Sequence, residues 1–134
     1  MPGTAIHVRG RDAAKEGFRC PPIEYYRRAI AISTFDCEPE IYTDDLADPI
    51  VQILAHDYQI TIVHSAPLYD FDAIRRHQHI IIGNSTFAWW AAFLSGHDNV
   101  IQPEPTSGWR SLDMPHTCLR VPEWRHIEYD PPNH

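Results

Sequence analysis

The chain has 134 residues, a hydrophobic fraction of 43%, a formal net charge of -7 and 9 histidines. That length suits one domain able to bury a core, and the acidic balance excludes general binding to nucleic-acid backbones, which needs a basic field. No segment approaches the roughly 18 uninterrupted apolar residues of a membrane span, and Met1–Pro2–Gly3 opens no signal-peptide pattern, so the expectation is a cytoplasmic chain.

Thr4–Val8 reads as a first strand that breaks at Gly10, and Arg11–Cys20 as a polar loop. Pro21 and Pro22 introduce a helix over Ile23–Ile32, because the missing proline N–H is harmless in a first turn. Ile23, Tyr26 and Ile30 recur there at helical spacing. Glu40–Thr43 follows as a strand ended by Asp44–Asp45. The next helix has Asp48 as candidate N-cap, Pro49 in its first turn, and Ile50, Ile53 and Leu54 on one face. Gln59–His64 reads as a strand, Pro67–Gln78 as a helix, Ile80–Gly83 as a strand and Asn84–Leu94 as a helix stopped by Gly96. Val100–Gln102 is a further short strand. Beyond Pro103 the chain turns proline-rich and less periodic, with a last short element inside Val121–Tyr129. The expectation is one domain over 1–134, with 103–134 an irregular portion.

Strands alternating with helices predict an α/β fold, Rossmann-like, with a mostly parallel sheet flanked by helices. Ligands of such sheets bind beyond the C-terminal strand ends. Three of those ends carry chemistry: His7–Arg9–Arg11–Asp12, Thr43–Asp44–Asp45 and Asn84–Ser85–Thr86. The last stands between the apolar run Ile80–Ile82 and the aromatic helix Phe87–Leu94. Free backbone N–H groups, hydroxyls and the positive end of the helix dipole converge there, which makes an anion site, phosphate above all.

Arg9 is suited to a bidentate grip on phosphate, or to an ion pair with Asp12 that fixes the turn. His7 alternates with Arg9 and faces the same side of the strand. Asp44 and Asp45 suit hydrogen bonds to a base or sugar, or general-base work; the alternative is turn formation and capping. Asn84–Ser85–Thr86 spells a glycosylation sequon, but its place between a buried strand and a buried helix discounts that reading. Trp89, Trp90 and Phe93, on a helix apolar all round, read as core, and Tyr25 and Tyr26 as packing residues. Cys20, Cys37 and Cys118 lack CxxC spacing and point to a reducing compartment rather than to zinc or disulfides. The histidines are scattered without an HExxH pair, so no metal is expected.

Four segments also carry a family likeness. Ile6–His7–Val8–Arg9–Gly10–Arg11–Asp12, Tyr25–Tyr26–Arg27–Arg28–Ala29–Ile30, Ile41–Tyr42–Thr43–Asp44–Asp45 and Ile82–Gly83–Asn84–Ser85–Thr86–Phe87–Ala88–Trp89–Trp90–Ala91–Ala92–Phe93–Leu94 stand in the order of the motifs of the α-1,2-fucosyltransferases. The resemblance, to glycosyltransferase family 11, runs over roughly Thr4 to Pro103, and its last motif is long and specific. The family's second arginine position is Gly10 here, with Arg11 displaced by one.

The resemblance implies the donor-binding half of a two-domain GT-B-type enzyme that transfers fucose from GDP-fucose to a glycan hydroxyl, with inversion and without a metal cofactor. It implies that Arg9 is catalytic, steadying the leaving GDP. His7, Arg9, Asp44, Asn84, Ser85, Thr86 and Phe87 would bind the donor. Family members carry a domain-sized region before the first motif, whereas this chain begins almost on it. The expectation is therefore a half completed by a missing N-terminal domain or a partner chain, with a GDP- or GDP-sugar-binding module lacking catalysis, or an α/β interaction domain, as alternatives.

Overall fold

The structure, a computed structural model, describes residues 3–9, 21–33, 38–106 and 120–130. Gly10, Arg11, Asp12 and the three cysteines lie outside the described residues. Six strands form one sheet: β1 (Thr4–Val8), β2 (Glu40–Thr43), β3 (Thr61–Val63), β4 (His79–Ile81), β5 (Val100–Pro105) and β6 (Arg125–Tyr129). Among the described residues four helices connect them: α1 (Ile23–Ile32), α2 (Pro49–Tyr58), α3 (Pro67–Arg76) and α4 (Thr86–Ser95). The strand order is β3-β2-β1-β4-β5-β6, and every neighbouring pair is parallel. The fold is the expected Rossmann-like α/β layer.

Period-2 alternation along the strands divides the core between the two sheet faces. On β1, Ile6 and Val8 join Tyr26, Ala29, Ile30, Val51 and Leu54, so α1 and α2 cover one face. Ala5 joins Ile74, Ile80, Ala88, Ala91 and Ala92, so α3 and α4 cover the other. His7 has the parity of Ala5 and therefore projects toward the α3/α4 face. The chain runs from β1 outward to β3, then crosses back to place β4 on the other side of β1. That reversal opens a crevice at the carboxyl ends of β1 and β4, where open parallel sheets bind ligands.

Several boundaries differ from the sequence-based expectations for local reasons. Gln59 is not in β3; it ends α2 in the left-handed region at φ 56°, so the strand starts two residues later. Val100–Pro105 extends past the expected Gln102 because β6 pairs with it as far as Pro105, whereas β4 pairs only as far as Ile101. Beyond that point only β6 flanks it, and proline is tolerated on a strand open on one side. On α4 the face against the sheet is an alanine stripe, Ala88, Ala91 and Ala92, all buried. Those short side chains hold the helix close, which turns Trp90 and Phe93 outward to 51% exposure each instead of into the core. Trp89 packs partly against the core and stacks on Phe93 at 5.0 Å. No helix among the described residues is long and apolar enough to cross a membrane.

Candidate functional site

A cleft of about 490 Å³ opens at the carboxyl ends of β1 to β4. Each wall comes from the end of a strand or the residues that follow it: His7 and Arg9 at the end of β1, Thr43 and Asp44 at the end of β2, His64 and Ser65 after β3, and Ser85, Thr86 and Phe87 after β4. Pro67 and Asp70 from the first turn of α3 close the side. The structure thus brings six of the expected donor-binding residues, His7, Arg9, Asp44, Ser85, Thr86 and Phe87, around one space.

Asn84 is placed differently. It does not line the cleft; its Nδ2 donates to the Tyr129 hydroxyl at 2.8 Å. The side chain turns toward β6, behind the helix start rather than into the ligand space.

The helix start itself presents donors that suit an anion. Ser85 is the N-cap, extended at φ -124°, and its hydroxyl accepts from Ala88 N at a long 3.4 Å. The first intrahelical bond runs from Trp89 N to Ser85 O at 2.9 Å. Helix geometry therefore leaves the N–H groups of Thr86 and Phe87 without intrahelical acceptors, at the positive end of the dipole. Arg9, exposed at the mouth, supplies the one arginine charge among the described residues that line the cleft.

His7 is buried at 5% exposure, with its ring 5.5 Å from that of Phe87. Burial pushes its pKa down to about 4; the Asp44 carboxylate opposes the shift and the Arg9 charge adds to it. At neutral pH the ring is uncharged, and its Nδ1 has no hydrogen-bond partner among the described residues. A buried nitrogen beside a cleft can hydrogen-bond a water or a ligand there.

The neighbouring Thr43–Asp44–Asp45 turn sorts its two carboxylates. Thr43 Oγ1 accepts from Asp45 N at 3.0 Å, and Asp45 Oδ1 accepts from Ala47 N at 3.0 Å. Asp45 is thereby occupied in its own loop, while Asp44 faces the cleft. His64 Nδ1 donates to the Thr43 carbonyl at 2.8 Å, tying the ends of β2 and β3 together. Asp70, buried, accepts from Ser65 N at 3.2 Å and fixes the turn into α3. His64, Ser65 and Asp70 escaped the sequence reading. The first two carried the same signal as Arg9 and Asp44, since they follow a parallel strand directly. Asp70 carried none, because an acid in a first helical turn reads as a dipole partner. Among the described residues no three His, Cys, Asp or Glu side chains are grouped to hold a metal ion.

The model of glycosyl transferase family 11 matches residues 50–128, more than half of the chain. The chain belongs to glycosyl transferase family 11. Searches of curated proteins and of solved structures return no match. The family match takes in α2 through most of β6, and with them His64, Asp70 and the α4 start. The β1 and β2 walls of the cleft, with His7, Arg9 and Asp44, precede it.

Proposed function

We propose that this glycosyltransferase-family chain is the donor-binding half of a GDP-fucose-dependent fucosyltransferase, which moves fucose to a glycan hydroxyl with inversion and without a metal cofactor. The observation that carries this reading is the convergence of Arg9 and the α4 start on one cleft in a family 11 chain. The diphosphate of GDP-fucose lies against the Thr86 and Phe87 N–H groups, with the Arg9 guanidinium on its outer oxygens. Asp44 takes the ribose or guanine, and the neutral His7 hydrogen-bonds the donor without adding charge. As the bond from the sugar anomeric carbon to the phosphate oxygen breaks, negative charge grows on GDP, and Arg9 and the helix dipole stabilise it where it develops. The acceptor hydroxyl attacks from the opposite face of the sugar, held over the cleft by a facing domain or a partner chain.

Calorimetry with GDP and GDP-fucose tests the donor site, and transfer or hydrolysis of labelled fucose tests the chemistry. Arg9→Ala is expected to weaken GDP binding about 30-fold, the loss of a charge-assisted pair. Unchanged affinity in that variant would remove Arg9 from the diphosphate site. Binding of the donor without turnover in the completed protein would make the chain a nucleotide-sugar-binding module.

A further inference from the structure

The connection from β4 to α4 has no regular structure over Ile82 to Ser85, yet the α4 N–H groups can hold a diphosphate only if that connection is rigid. Three tyrosine hydroxyls meet it from behind, one for each successive residue. Tyr25, fully buried on α1, donates from its hydroxyl to the Ile82 carbonyl. The same hydroxyl stands 3.2 Å from the Ile101 carbonyl, on the adjoining strand. The Tyr26 hydroxyl occupies the space beside Gly83, where a Cβ would come within 2.6 Å of it. Tyr129, at the end of β6, accepts from Asn84 Nδ2 at 2.8 Å. Tyr25 and Tyr26 meet edge to face at 4.9 Å, so the two rings brace each other.

We propose that Tyr25, Tyr26 and Tyr129 are positioning residues for the anion-binding start of α4, with Asn84 the arm through which Tyr129 acts. This deepens the donor-site reading above and rests on it. The cleft carries the groups that touch the ligand, and this tyrosine back wall sets where the Thr86 and Phe87 N–H groups point. It explains why Asn84, at the heart of the helix-start motif, faces away from the cleft. It also gives Gly83 a reason: any side chain there displaces the Tyr26 hydroxyl.

Tyr129→Phe in the full chain removes one hydroxyl and keeps the ring. GDP affinity is expected to fall about five-fold, the loss of a single hydrogen bond. Guanosine, which lacks the diphosphate, is expected to bind the variant as it binds the wild type. The amide resonances of Thr86 and Phe87 should shift in the ligand-free variant. Asn84→Ala should reproduce the loss, and the double variant should lose no more than the larger single one, because both act through one hydrogen bond. Equal loss of GDP and guanosine binding would mean general loosening and overturn the proposal, as would additive losses or unchanged GDP affinity. A folded wild type that binds no GDP overturns the donor-site reading itself, and the positioning role with it.

Discussion

Two helices of this chain begin at the same rim of the sheet, and they finish their first turns in opposite ways. At α2 the cap is Asp48, buried, whose carboxylate accepts from Ile50 N at 2.9 Å and from Val51 N at 3.4 Å. That helix brings its own anion, and Pro49 removes one further donor. At α4 the cap is the neutral Ser85, with one long bond to Ala88 N. The dipole there is left without a countercharge from its own cap, and Arg9 and the buried His7 stand beside it. One helix start is closed by a carboxylate of its own; the other keeps donors that its cap does not reach.

The largest effect expected to test this contrast is at His7, the group that keeps the α4 side from carrying a second cation. Its folded-state pKa of about 4 lies below the ordinary 6.5 because of burial, so protonation favours the unfolded chain. His7 leaves stability untouched above pH 6.5. As pH falls from 6.5 toward 4 the unfolded state takes up a proton that the folded state refuses, and stability drops, by about 3 kcal/mol at most. Urea unfolding between pH 4 and 7 should show this slope in the wild type and a flatter one in His7→Gln. Equal slopes would mean that folding does not lower the His7 pKa, so that His7 carries a charge beside Arg9 once the pH falls below about 6.5.

The second test turns α4 into a copy of α2. Ser85→Asp places a carboxylate beside the assigned phosphate; accepting from Phe87 N and Ala88 N as Asp48 does from Ile50 N and Val51 N, it takes one of the two N–H groups given to the ligand. Thermal stability should hold or rise slightly, since Asp caps as well as Ser and favours the dipole. GDP binding should weaken by about 2 kcal/mol, roughly 30-fold, because the site is both partly filled and made repulsive. A variant that binds GDP as before would show that the anion sits elsewhere in the cleft.

Much of the contrast was legible in the sequence, and the illegible parts have physical reasons. Thr4–Val8, Ile23–Ile32 and Glu40–Thr43 were bounded by prolines, a glycine and paired aspartates, which punctuate locally, and the structure keeps those bounds. Asp48 was readable as a cap because capping is a matter of residue type and position, whereas the helix expected from Asn84 starts at Thr86, with Ser85 as its cap. The end of α2 was not, since Gln59 takes a left-handed conformation usually left to glycine or asparagine. Trp90 and Phe93 misled because hydrophobicity around a helix does not say which stripe meets the sheet, and here the alanines do. The orientation of Asn84 depends on Tyr129, 45 residues away in sequence. His64 and Asp70 entered the cleft only once the position of β3 in the sheet was known.

The smallest expected effect, Asp48→Ala, is the control that gives the contrast its meaning. Removing the carboxylate leaves two N–H groups of the α2 first turn, one of them buried, short of their acceptor, which should cost about 1 kcal/mol of stability. Because α2 lies on the α1 side of the sheet and no residue of its first turn lines the cleft, GDP affinity should not change. Denaturant midpoints and calorimetry on one preparation measure both. If GDP binding improves, the emptied α2 start is competing for the ligand, and an open helix start at this rim is enough to attract an anion. If binding is unchanged, the α4 start owes its role to its surroundings: Arg9 at the mouth, His7 kept neutral beside it, and the tyrosines that hold it in place.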